Sequence, residues 1–220
     1  MGKTIDALNR FNRAHPWSHN DAYASWVLRQ AEQIRRGGGR VALDVGCGSG
    51  NLLCRLAEKF SHVVGVDADS TMAAHARAAT SSLPNVEVVH GAFPFDDETY
   101  DFVSIVAVLH HLPLVEGIDA ARAAVSPGGR LAIVGLFREE DRIDRTLSLV
   151  SLVLNPVIGL MRHPRRAVTT PTAMVAPTAP STEFYSDIHA ALQEQLPGVR
   201  MRRRLFWRYT AVWHAPRRGC

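Results

Sequence analysis

Short apolar runs alternate with longer stretches of helical period along most of this chain. From Arg40 onward, five runs dominated by Val, Ile and Leu predict strands buried on both faces: Val41 to Val45, Val63 to Val66, Val86 to Val89, Phe102 to Val106 and Leu131 to Leu136. The stretches Asn51 to Lys59, Ser70 to Thr80 and Val115 to Val125 between them predict helices. Strand and helix in alternation is the pattern of a parallel sheet with helices on its faces. Ahead of it, Asp21 to Arg36 predicts a helix that Asn20 can cap and Gly37-Gly38-Gly39 stops.

The texture changes after residue 137. Glu139 to Met161 begins charged and turns apolar, with sixteen uncharged residues from Thr146 to Met161. That run is shorter than the roughly 20 residues a membrane span needs, and Asn155-Pro156-Val157-Ile158-Gly159 interrupts it, so no span is expected. A lid over an apolar substrate is the first expectation for it; pairing of subunits or contact with a membrane surface are the alternatives. Pro164 to Pro180 holds four prolines and predicts a loop. Ser181 to Gln195 predicts a helix capped by Ser181, and Val199 to Leu205 with Tyr209 to His214 predicts an antiparallel pair.

Composition narrows the classes. A chain of 220 residues with 46% hydrophobic and 21% charged residues suits one globular domain rather than a disordered segment. The expected organisation is a single domain over 1–220, with a helical cap (1–39), a core (40–136), a lid-like insertion (137–182) and a final helix with two strands (183–220). Three cysteines, Cys47, Cys54 and Cys220, make neither a disulfide scaffold nor a metal pair, and MGKTIDALNRFNRAHPW lacks a signal peptide's apolar centre. These features point to a reduced, cytoplasmic setting, no metal, and a monomer or homodimer. The net charge of +4 concentrates in Arg162 to Arg166 and Arg200 to Arg208.

The candidate chemistry begins at Ala42 to Gly50, ALDVGCGSG. A strand ending in an acid, then a glycine turn and a helix, brings backbone N–H groups to the carboxyl edge of a sheet, where a nucleotide-like ligand is the default. The dinucleotide fingerprint GxGxxG is not met, because position 51 is Asn; the spacing is GxGxG after Asp44.

Leu43-Asp44-Val45-Gly46-Cys47-Gly48-Ser49-Gly50 resembles the first motif of class I S-adenosylmethionine-dependent methyltransferases, the small-molecule type. Val64-Gly65-Val66-Asp67, Pro94 to Val103 and Ser126-Pro127-Gly128-Gly129-Arg130-Leu131 resemble three further motifs of that family, in order, over about residues 40 to 136. The resemblance implies a Rossmann-like α/β fold, with a seven-stranded mostly parallel sheet, an antiparallel last strand and helices on both faces. It implies S-adenosylmethionine as cofactor, contacted by Asp44, Gly46, Cys47, Gly48, Asn51, Asp67, Ala68, Ala92, Phe93 and Val106. In that family an aspartate usually follows Gly91 and accepts from the adenine amino group; here Ala92 stands there, and backbone groups at Ala92 and Phe93 with apolar stacking would replace it.

Methyl transfer needs alignment and, for some acceptors, a base. His110 and His111, after the fourth strand, are the candidates, one of them alternatively packing or touching the cofactor. His19 and Tyr23 would close over the methionine end, with helix packing as the alternative. Arg200, Arg202 and Arg204 alternate along a strand and are expected to be solvated. The expected function is methylation of an oxygen, nitrogen or carbon of a small aromatic or apolar metabolite, with no nucleic-acid partner favoured. An RNA methyltransferase, from the basic clusters, and a non-catalytic protein of this fold, from Ala92, are the alternatives.

Overall fold

In each central strand successive side chains face opposite sides, and both sides are apolar. Leu43, Val45, Val103, Ile105, Leu131 and Ile133 fill one layer, while Ala42, Val63, Phe102, Ala132 and Val134 fill the other. Such strands are stable only when helices cover both faces. The computed structural model, which describes residues 19–94, 98–162 and 181–217, has that arrangement.

The elements run α1 (His19–Arg36), β1 (Val41–Val45), α2 (Asn51–Ala57), β2 (His62–Asp67), α3 (Ser70–Thr80), β3 (Val86–His90) and β4 (Tyr100–Val106). After a 3-10 turn at Leu109–His111 come α4 (Leu114–Ala123), β5 (Val125–Leu136), α5 (Arg142–Arg162), α6 (Tyr185–Gln195), β6 (Arg200–Arg204) and β7 (Arg208–His214). One seven-stranded sheet has the order β3-β2-β1-β4-β5-β7-β6. The neighbours from β3 to β5 pair in parallel, and β7 lies antiparallel to both β5 and β6. Val27 and Ala31 of α1, Leu53 and Leu56 of α2 and Ala76 of α3 cover one face; Ile118 of α4 and Ile188 and Leu192 of α6 cover the other.

The fold class and all seven expected strands stand. Several local expectations do not: Asn20 lies inside α1, which begins at His19, and so is not its cap. The last helix begins at Tyr185, not Ser181, with Phe184 as an N-cap that makes no side-chain cap bond. The reason is tertiary: Arg138 N donates to Glu183 O at 2.8 Å and Arg138 bridges Phe184, which pins 181–184 as an extended strap. Residues 155–159 do not break the apolar stretch, since Pro156 lies inside the 21-residue α5. Among the described residues, Arg142–Met161 is the one stretch long and apolar enough to cross a membrane. Arg204 is half-buried rather than fully solvated: its Nε donates to Thr210 Oγ1 at 3.0 Å across the β6–β7 pair. Pro164 to Pro180 lie outside the described residues.

Two neighbours hold α5. Asp141 and the buried Asp144 pair with Arg203 at 2.8 and 3.2 Å, and the Arg203 guanidinium stacks 4.2 Å over Tyr185. Ser151 Oγ accepts from Phe206 N at 2.7 Å, and Glu139 Oε1 accepts from Trp207 Nε1 at 2.9 Å. Phe206 and Trp207 have φ of 59° and 56°, a conformation bulky residues avoid, so α5 grips a strained hairpin tip.

Candidate active site

At the end of β1 the chain turns through Gly46 to Gly50. Gly46 and Cys47 both donate their N–H to Val66 O, at 2.8 and 3.1 Å, which lays the turn across the end of β2. Gly46 has φ +67°, and a Cβ there would sit 2.1 Å from Val108 Cγ2, so no other residue fits without displacing that side chain. Gly48, at φ +54°, differs: nothing lies within 4 Å of where its Cβ would be, so this part of the turn borders open space.

Asp67, the last residue of β2, ties the turn down. Its Oδ2 accepts from Gly48 N at 2.7 Å and its Oδ1 from Asp69 N at 2.9 Å. A carboxylate offers about four acceptor positions, so two remain for a ligand's hydroxyls. Asp69 in turn caps α3 through Thr71 N and Met72 N.

Asp44 lies one strand over. It is buried, and Ser104 Oγ donates to its Oδ1 at 2.7 Å. Desolvation pushes its carboxyl up to about 7; the Asp67 charge adds to the rise and the Ser104 bond opposes it. A carboxyl held there ionises readily only when a cation stands beside it. The donor set therefore fits S-adenosylmethionine: an open glycine cradle, a half-buried Asp67 with acceptor positions left, and a buried acid that a sulfonium or ammonium would charge.

The other expected cofactor residues share this edge. Asn51 opens α2 and is exposed; Ala68 and Ala92 are exposed just past β2 and β3; Phe93 is half-buried against the core, as is Val106 at the end of β4. Cys47 is buried, and burial pushes its thiol far up, so it is a packing residue and not a nucleophile. Tyr23 is half-buried against the core, and its hydroxyl donates to Leu205 O at 2.7 Å, which joins α1 to the β6–β7 turn. His19 begins α1; its side chain lies outside the described residues.

Beyond β4 the backbone bends at Ala107, whose φ is +57°, into the 3-10 turn that presents the histidines. His110 is half-buried, His111 is exposed, and their rings stand 4.1 Å apart. His110 borders a cavity of about 110 Å³ whose walls include Leu109, Leu112, Leu136 and Ile188, with Ser181, Glu183 and Tyr209 as polar members. Ser181 Oγ is buried there without a hydrogen-bond partner, and burial pushes the Tyr209 phenol up. The Tyr209 ring occupies the space a Cβ on Gly135 would need, 2.2 Å away.

A methyltransferase domain model matches residues 42–129, the segment from β1 to the start of β5. An uncharacterized methyltransferase of Mycobacterium tuberculosis is 27% identical over 210 residues, covering 91% of this chain and 98% of that protein. The chain carries a methyltransferase domain of the class I S-adenosylmethionine-dependent type. A demethylmenaquinone methyltransferase of Shouchella clausii is 31% identical over 118 residues, half of each chain. Among solved structures, the N-methyltransferase NodS of Bradyrhizobium japonicum, complexed with S-adenosyl-L-homocysteine, superposes with a TM-score of 0.60 at 16% identity over 96% of this chain and 97% of its own; this likeness is one of fold. As a methyltransferase of this class, the protein uses S-adenosylmethionine as its cofactor.

Sequence reasoning missed Ser104 and the cavity's polar wall. The signal for Ser104 was present, a lone hydroxyl inside the apolar run Phe102 to Val106, but its meaning needs the register that sets Asp44 opposite Ser104. Ser181 and Glu183 reach the cavity from the strap and Tyr209 from β7, two segments far apart in the chain, and no spacing announces that.

Proposed function

We propose that this methyltransferase acts on an oxygen, nitrogen or carbon of a small aromatic or apolar acceptor seated beside His110. The supporting observation is the cavity past β4. At about 110 Å³ it is close to the roughly 150 Å³ that admits a benzene ring, and leucine, isoleucine and tyrosine side chains make up much of its wall.

In this reading the cradle of Gly46 and Gly48 takes the methionine moiety, with Asp44 compensating its positive charge and Asp67 accepting from the ribose hydroxyls. Asn51, Cys47, Ala68, Ala92, Phe93 and Val106 border the rest of the cofactor, and Tyr23 and His19 stand at its methionine end. Bound S-adenosylmethionine supplies an electrophilic methyl carbon, so the chain's own task is alignment and removal of the acceptor's proton. A ring nitrogen of His110 or His111 receives that proton, which suits an imidazole near neutral pH. The strap at Ser181 to Glu183, the end of the lid-like insertion, covers the acceptor.

Three arginines of the basic run are engaged within the fold, which favours the small-molecule reading over RNA, while Arg200 and Arg202 stay exposed. Arg203 is paired with two aspartates, Arg204 is bonded to Thr210, and Arg208 is buried and donates to Phe206 O. The demethylmenaquinone enzyme among the relatives gives a concrete acceptor class to try, a lipophilic quinol.

The test is calorimetric titration with S-adenosylmethionine and its demethylated product, followed by product release with quinols, simple phenols and amines. Micromolar binding and turnover with an aromatic acceptor support the reading. Binding of neither ligand, or turnover restricted to RNA, overturns it.

A further inference from the structure

Helix α5 is built the wrong way round for a helix bathed in water. Nine large hydrophobic side chains are exposed among the described residues, and eight of them lie on α5, including Leu149, Val153, Val157 and Leu160. The fully buried positions along it are polar or small, Asp144, Ser151 and Gly159, while Leu147, Leu154 and Ile158 are half-buried beside Ser148 and Asn155. An ordinary surface helix shows the reverse distribution.

The packed side fixes the orientation. Asp144 is held by Arg203 and Ser151 by Phe206 N, so the helix is fastened lengthwise to the β6–β7 hairpin. Passage through a bilayer would strip the ion pair and that hydrogen bond into hydrocarbon, so an outward face touching a surface side-on is the arrangement these contacts permit.

Charge identifies the surface. Arg142 and Arg145 are exposed at one end of α5, and Arg162 closes the other. The acids near the first end are engaged inward: Asp141 and Asp144 on Arg203, and Glu139 on Trp207 Nε1, which leaves Glu140. A second copy packed antiparallel on this face would bring Arg142 and Arg145 toward the Arg162 end of its partner, like charge against like. An anionic bilayer takes the apolar stripe and both basic ends together.

We propose that α5 is an in-plane anchor by which the protein docks on anionic lipid bilayers. Its apolar face enters the acyl boundary, and the flanking arginines meet lipid phosphates. This docking is independent of methyl transfer.

The test is co-sedimentation of the full chain with vesicles of phosphatidylcholine alone and of phosphatidylcholine with phosphatidylglycerol at about 3:1, in low and high salt. Leu149, Val153 and Val157 are 66%, 67% and 49% exposed, so Leu149→Gln, Val153→Gln and Val157→Gln together leave the fold intact. The expected result is binding to the anionic vesicles at least tenfold above neutral ones, weakened by salt and at least tenfold by the triple substitution. Arg142→Gln with Arg145→Gln weakens binding to anionic vesicles only. Absence of vesicle binding, or equal binding by the triple variant, overturns the proposal. So does a wild-type dimer in light scattering that the triple variant dissolves, which would give the face to a second copy. A triple variant with a lowered Tm and a wild type that ignores vesicles would give it to another segment of this chain.

Discussion

Ser104 and Asp44 face each other across the parallel pair β1 and β4, and the serine hydroxyl donates 2.7 Å to a carboxylate that has almost no contact with water. With its carboxyl pushed up to about 7, Asp44 keeps a proton in the folded protein that the unfolded chain releases near its ordinary 3.8. The folded state therefore binds more protons over that window, and the stability present below about pH 4 is lost as pH rises through about 7.

The first prediction concerns pH. A cationic ligand beside Asp44 favours its ionised form, so binding of S-adenosylmethionine expels a proton. Affinity should rise with pH up to about 7, by as much as about tenfold per unit, and level off above. Asp44→Asn should bind more weakly and flatten the profile. Calorimetry in two buffers of different ionisation enthalpy checks it, and a wild-type profile as flat as the variant's would remove Asp44 from the site.

Asp67→Ala should weaken S-adenosylmethionine binding at least tenfold. It deletes charge-assisted acceptors worth about 1.5 to 3 kcal/mol each and also frees Gly48 N and Asp69 N. Equilibrium binding of the cofactor reads the effect, and unchanged affinity contradicts the ribose assignment.

His110→Ala and His111→Ala should separate the two rings. With cofactor binding retained, loss of turnover by about 10²-fold or more in one variant marks the proton acceptor. Full rates in both would show that the acceptor needs no base.

The Ala107 backbone is left-handed, which costs a side-chain-bearing residue about 1 to 2 kcal/mol. Ala107→Gly should preserve or raise stability in urea, and Ala107→Val should lower it by more than 1 kcal/mol. Equal losses in both would mean that the turn is not strained.

Ser151→Ala should destabilise the protein by about 1 to 3 kcal/mol, since it removes the acceptor for Phe206 N in a buried setting. Denaturant midpoints measure the loss. Tryptophan fluorescence should report it too, because Trp207 sits at the same tip.

Much of this architecture is visible in the chain, for a physical reason. Strands buried on both faces must be continuously apolar, so Val41 to Val45 announces its limits, and the glycines at 46, 48 and 50 announce a turn of positive φ. The two acids beside the glycine turn were equally readable, because Asp44 is the last but one residue of β1 and Asp67 the last of β2. What stayed hidden depends on contacts between distant segments. Ser181 resembles a helix cap, yet its strap is claimed by Arg138; Arg204 looks solvated, yet Thr210 across the hairpin takes its donor. Local rules mark Pro156 as a helix break, yet α5 runs on through it to Arg162.

The place of β7 also shapes how the chain must be made. It is the last strand synthesised, yet it lies between β5 and β6. From the moment Leu136 leaves the ribosome until Arg208 follows, β5 presents one bare edge, and β6 has no neighbour to join. During that interval the sheet is half finished with an unpaired edge, and its final strand enters as a wedge that closes the gap from within.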